Sequence, residues 1–416
     1  MRVSLFKNHN FLYLWSSQIL SQFTINIMTF LVLIRTYEQT GSTIAASFIW
    51  IAYGIPALLI GPIAAAFVDI VDRKKILVVT NLAQAFVVLI YALLYQRFLY
   101  LSYGVVLGYS LLDQFYVPAE AATLPSVVKK KNLAQANGLF FISQQTATIL
   151  GFGLAGLISE VIGFGKAMSI GTVLLFLAFL IVSRLPSQKW GGLKRTVSFE
   201  GKIYRFFGKI KEGYVFIRHK KTIFYPFFFL MWLHVSLSIL VVNMPEIGAT
   251  VIRTKPSLAG AFILAPGGLG ALAGTFTVSR LLAREFRKKK IIDTALLMLS
   301  LAFMTVALVV PSIEFWAGRL VLIFIFFMVG FSYVSALIPA LTFLQMRTPK
   351  KLMGRIFGNF WFLTMAVTLL PVLFSATVTE VLGIRPLLFL IGAIAGLILI
   401  VSKFYVGKNF TFIEEA

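Results

Sequence analysis

The chain has 416 residues, 59% of them apolar and only 13% charged, with a mean hydropathy of +0.90. Soluble domains carry roughly 25% charged residues, so the composition excludes a soluble enzyme and describes an integral membrane protein. A net charge of +23 would suit a nucleic-acid binder, but the position of the charges points elsewhere, and zero cysteines exclude disulfides and thiolate metal sites.

A helix needs about 20 apolar residues to cross the hydrocarbon core, and only closed hydrogen-bonding structures survive in lipid. The pattern predicts an all-α membrane protein of twelve spans, at roughly 11–36, 43–68, 76–96, 99–122, 136–159, 165–184, 223–250, 258–282, 291–310, 316–340, 357–379 and 386–403. The first apolar run is too long, and too rich in Gln and Asn, for a cleavable signal peptide. On span 1, Gln18, Gln22, Asn26 and Thr29 fall within about 80° of one another on a helical wheel. Amides on one face suit a polar cavity wall or hydrogen bonds between helices.

Between spans 2 and 3 lies GPIAAAFVDIVDRKKIL, Gly61 to Leu77. Its turn carries Asp69, Asp72, Arg73, Lys74 and Lys75, and short basic loops stay cytoplasmic. The order of these residues resembles the loop between helices 2 and 3 of the major facilitator superfamily, Gly-x3-Asp-Arg-x-Gly-Arg-Arg/Lys. Ala65, Ile70 and Asp72 stand in place of the first Gly, the first Arg and the second Gly. The Asp72-Arg73-Lys74-Lys75 form is similar to the macrolide-efflux and siderophore-exporter branch. This resemblance implies a cytoplasmic gate in which Asp69 pairs with a basic partner, with Asp72, Arg73 and Lys74 beside it. The bland alternative is a cluster that only sets topology.

Span 4 holds Asp113 and Glu120, seven residues apart and so nearly on one helix face. An ionised group at membrane depth costs at least ~2.5 kcal/mol, so each should face protein or a wet cavity. Both are candidates for a proton or substrate site. The alternatives are a structural pair with a helix-terminal Arg or Lys and, for Glu120 after Pro118, a cap or gate partner. Gln144 and Gln145 on span 5 invite the same two readings as the amides of span 1. Gly151, Gly153 and Gly156 on that span, and Gly270 and Gly274 on span 8, read as close-packing positions. Span 5 falls where the superfamily's antiporter motif occurs, but without its proline.

The linker at about 185–222 separates a six-span unit at 1–184 from another at 223–416. Ile203, Phe206, Phe207, Ile210, Tyr214 and Ile217 recur there at helical spacing among Lys and Arg, the pattern of a basic amphipathic helix on the cytoplasmic face. In the second half Glu246 stands beside Pro245 near the outer end of span 7, a candidate for helix gating or for plain solvation. His234 lies deeper in that span and reads as a proton relay or as hydrogen-bonded core. Asp293 opens span 9, where the helix dipole and neighbouring lysines account for it.

The halves echo each other. Gly108-Tyr109-Ser110 and Pro118-Ala119 in span 4 return as Gly330-Phe331-Ser332 and Pro339-Ala340 in span 10, each followed by a basic loop. The stretch from Arg347 to Arg355 also resembles the loop between helices 10 and 11 of the same exporter branch. With the N-terminus cytoplasmic, 31 of the 38 Lys and Arg fall on the inner side, as the positive-inside bias requires. The charge is therefore topology plus attraction to anionic lipid. There is no phosphate-binding glycine loop, no Walker lysine and no metal-ligand spacing, so neither cofactor nor metal is expected.

The expectation is a major facilitator fold of two pseudo-symmetric six-helix bundles holding substrate near the midplane. It is read as a monomer in the inner or plasma membrane with both termini cytoplasmic. The residues supply spans, duplication, orientation and a buried acidic face; the resemblance supplies export. Together they give a proton-coupled efflux carrier of amphipathic organic compounds, of drug or macrolide type, with protons and membrane lipid as further partners. The rivals are a lysolipid or siderophore carrier of the same fold and a non-transporting receptor or assembly partner.

Overall fold

The computed structural model describes residues 3–68, 71–187, 199–310, 315–349 and 352–403. Among them every regular element is helical. The first half comprises α1 (Val3–Phe6), α2 (His9–Thr40), α3 (Thr43–Leu59), α4 (Gly61–Val68), α5 (Arg73–Leu94), α6 (Leu101–Val127), α7 (Leu133–Ile162) and α8 (Phe164–Ser183). After α9 (Phe199–His219) come α10 (Lys221–Val242), the single turn α11 (Met244–Glu246), α12 (Ala259–Ala283), α13 (Lys288–Leu308), α14 (Phe315–Arg347), α15 (Met353–Leu382) and α16 (Ile384–Val401).

Ten of these helices among the described residues are long and apolar enough to cross a membrane, or eleven if α3 and α4 form one span. That pair bends by 50° at Ile60, just before Gly61 and Pro62 open α4, where proline can donate no hydrogen bond to the preceding turn. The one expected span left over, the fourth, is α6, an unbroken 27-residue helix that is not among the ten. It is the one that carries Asp113 and Glu120.

Helix ends follow from local chemistry. Asn8 caps α2 by accepting hydrogen bonds from the Asn10 and Phe11 amides, and α2 stops at Gly41 with φ 64°. The turns α7–α8 and α15–α16 each consist of one glycine, Gly163 at φ 85° and Gly383 at φ 84°. Only glycine is at ease there, and the two sit at equivalent places in the two halves.

Contacts divide the chain into two units, Met1–Gly41 with Phe48–Lys209, and Ser42–Ser47 with Ile210–Ala416. In the first, α2 packs on α7, and α5 packs on α6 and α8. In the second, α10 packs on α15, and α13 on α14 and α16. The same pairing recurs with the same chain order, which is internal duplication seen in packing rather than in residues. The first unit has a core of Phe11, Leu14, Leu77, Tyr116 and Val182; the second has one of Ile223, Phe227, Leu230, Leu344 and Phe360. Within the second unit Glu380 accepts from the Ser42 hydroxyl at 2.6 Å and the Ile44 amide at 3.0 Å, tying α15 to the start of α3.

The linker stretch is helical as α9. Ile217 is buried in the second core, while Phe207 and Tyr214 are exposed. The side chains of Ile203 and Phe206 lie outside the described residues.

Candidate functional site

Helix α6 positions both carboxyls inside the first unit. Asp113 is 7% exposed and Glu120 8%. Among the described residues the hydrogen-bond partner of each is a phenol rather than a cation. Tyr53 of α3 reaches Asp113 at 3.5 Å, and Tyr116 donates to Glu120 at 2.9 Å across one turn of α6. From there polar groups continue through the core. Tyr116 lies 3.4 Å from the Ser17 hydroxyl of α2, which accepts from the Asn81 amide of α5 at 3.1 Å. One turn along α2, Ser21 meets the Tyr109 hydroxyl at 3.3 Å. Ser110 bonds the Tyr53 carbonyl at 2.6 Å and so fixes α3 against α6 beside Asp113.

Gln84, one turn beyond Asn81 on α5, is fully buried, and neither of its amide atoms has a hydrogen-bond partner among the described residues. Such groups are costly at this depth unless something polar meets them. The arrangement thus gathers three hydrogen-bonded groups within one unit: Asp113 with Tyr53, Glu120 with Tyr116, Ser17 and Asn81, and Tyr109 with Ser21. Chemically each carboxyl can hold and exchange a proton, and the groups contain no nucleophile–base pair.

The other sequence candidates fall in several places. Gln18 is buried, donating to the Phe140 carbonyl at 3.2 Å and accepting from Ser143 at 2.8 Å, and so stitches α2 to α7. Asn26 donates to the Gln22 carbonyl at 2.6 Å and lies against Gly151, where a Cβ would come within 2.6 Å of its own Cβ. Gln22 is half-buried, and Gln144 and Gln145 are exposed. Asp69 lies outside the described residues. Asp72 is the N-cap of α5, accepting from the Lys74 amide at 2.9 Å and from Ser187 at 2.6 Å. Arg73 donates to the Ala122 carbonyl of α6 at 2.8 Å, and Lys74 is half-buried.

His234 belongs to the second unit. Its ring packs edge-on to Phe360 and Trp361 with centroids 5.3 and 5.4 Å away, and Nδ1 lies 3.0 Å from the Leu230 carbonyl. Glu246 is half-buried at the end of α11, outside the acidic network of the first unit. The sequence reading did not single out Tyr53, Tyr116, Asn81 or Gln84, and marked Tyr109 only as part of the echo between the halves. A signal was present in span 3, where Thr80, Asn81 and Gln84 interrupt an apolar run at helical spacing.

Duplicated helical packing, spans of membrane length and carboxyls buried among them define a multi-pass membrane carrier. The Major Facilitator Superfamily model matches residues 14–370, and the chain belongs to that superfamily of transporters; it is not an enzyme. It is 22% identical to the uncharacterized MFS-type transporter YfiS of Bacillus subtilis (strain 168), over 97% of this chain and 95% of that one. It is 25% identical to macrolide efflux protein A of Streptococcus pyogenes, over 51% of this chain and 52% of that protein. It is 28% identical to the MFS-type transporter YjbB of Bacillus subtilis, over 46% and 49%. The match thus spans about half the length of the last two relatives. Among solved structures, a bacterial homologue of the iron transporter ferroportin in the inward-facing state superposes with a TM-score of 0.71 at 14% identity, covering 95% of this chain and 98% of that one. The POT family transporter PepTSo gives 0.71 at 13%, covering 96% and 98%. At such identities these likenesses show the fold alone.

Proposed function

We propose that the protein is a proton-coupled exporter of amphipathic organic compounds working by alternating access in the plasma membrane. The observation that carries the reading is the pair Asp113 and Glu120, buried on one helix with phenol partners and no neutralising cation among the described residues. A structural ion pair would have placed an Arg or Lys there. A carboxyl in this setting exchanges its proton only if the path to it opens and closes, which is the coupling an alternating-access carrier requires. The partial likeness to macrolide efflux protein A supports the export direction and an amphipathic substrate.

The test is reconstitution of the full chain in vesicles with an imposed pH gradient, following fluorescent amphipathic dyes. Asp113→Asn keeps the shape of the side chain and removes its titration. It is expected to abolish gradient-driven movement while leaving monodispersity in detergent unchanged, and Glu120→Gln to reduce that movement. Wild-type rates and pH dependence in Asp113→Asn would overturn the assignment.

A further inference from the structure

A second site lies in the other unit, away from the acidic network. Between α10, α13, α14 and α16 runs a cleft of about 350 Å³, within the roughly 300–1,000 Å³ that small-molecule sites occupy. Pro226 of α10 and Ala340 of α14 line its floor among larger side chains. Its walls are Tyr225, Phe228, Phe229 and Trp232. Tyr225, Phe228 and Val401 are exposed along its rim, so the cleft opens sideways onto an apolar surface.

One end is charged. Lys288 and Lys289, in the first turn of α13, line it together with Asp293. Lys288 also donates to the Met346 sulfur of α14 at 3.3 Å. Asp293 accepts from Ser402 at 3.0 Å, which fastens α13 to α16 and occupies one carboxylate oxygen. The cleft therefore lies where α10 and α13 begin and α14 and α16 end. That end also bears Lys220, Lys221, Arg287, Lys290 and Arg347, which by the positive-inside bias faces the cytoplasm.

An apolar slot with a cationic mouth, at the leaflet that holds the anionic lipids, is complementary to one kind of molecule. We infer that this cleft binds an anionic phospholipid, its phosphate on Lys288 and Lys289 and an acyl chain along the aromatic wall. Each lysine near such a headgroup contributes about fivefold in affinity, and Asp293 disfavours a second anionic headgroup deeper in the slot.

Trp232 supplies the reporter. The full chain is reconstituted in phosphatidylcholine vesicles containing graded amounts of brominated phosphatidylglycerol or brominated phosphatidylcholine. The quenching of Trp232 is isolated by difference from Trp232→Phe. Half-maximal quenching is expected at several-fold lower content of the brominated anionic lipid than of the zwitterionic one. Lys288→Gln combined with Lys289→Gln should bring the two curves within about twofold. Lys130→Gln with Lys131→Gln, the same charge loss in the first unit, should leave the preference intact. The proposal is overturned if the wild type shows no preference, if the Lys288/Lys289 variant keeps it, or if both double variants lose it equally. Failure here would leave the proton-site reading untouched, because that rests on the other unit.

Discussion

Tyr116 and Ser17 show how two hydroxyls link three helices. Tyr116 donates to Glu120 at 2.9 Å and touches Ser17 at 3.4 Å, and Ser17 accepts from Asn81. Hydrogen bonds between membrane helices average about 0.6 kcal/mol and reach about 1.7, so the network should couple its members within that range. A double-mutant cycle in detergent unfolding checks this. Tyr116→Phe and Ser17→Ala should each destabilise, and the double variant should lose less than the sum by about 0.6–1.7 kcal/mol. Strict additivity would mean the bond contributes nothing. The carboxyls themselves were legible in the sequence because two acids in an apolar run have no bland place to go. Their phenol partners were not, because tyrosines in an aromatic-rich chain give no sign of which hydroxyl meets which acid. The amides of span 1 illustrate the same limit, since Gln18 proves to bridge to α7 and a helical wheel does not reveal what covers a face.

Among the elements, the tightest seam joins α12 and α14. A Cβ on Gly330 would meet the backbone of Gly267, one on Gly270 that of Phe327, and one on Gly274 would come within 2.7 Å of the Phe331 carbonyl. Backbone cannot rotate away as a side chain can, so the helices must separate. Gly330→Ala is therefore expected to cost about 1–3 kcal/mol, the range for overpacking, and to lower the apparent Tm and the folded yield. Gly358→Ala, where a Cβ meets nothing within 4 Å, should be neutral or stabilise by up to about 1 kcal/mol. Equal effects at the two sites would contradict the packing argument. Gly270 and Gly274 were readable as packing positions from small-residue spacing alone, whereas Gly330 was visible only as part of an internal echo. Hydropathy placed the helices, but not all their ends, since α14 runs on to Arg347 and α10 stops at Val242, and not the 50° break just before Gly61 and Pro62. Residues on both sides of it are equally apolar, and a hydropathy window does not register a missing hydrogen-bond donor.

At the scale of the whole molecule, charge asymmetry and duplication carry the topology. The 31 basic residues assigned to one side, against seven on the other, predict that the loops after α6 and α12 face the cytoplasm and the turns after α5 and α7 face outward. The absence of any cysteine in the chain makes the test direct, since single cysteines can be introduced without first removing others. Tyr100 is 80% exposed and Val161 82%, and Lys131 and Lys290 are exposed as well, so all four positions are open to reagent. In intact cells a membrane-impermeant maleimide should label Tyr100→Cys and Val161→Cys, and should reach Lys131→Cys and Lys290→Cys only after permeabilisation. Labelling in the opposite sense would place the basic mouth of the α10–α13 cleft in the outer leaflet and remove the electrostatic basis for an anionic lipid there.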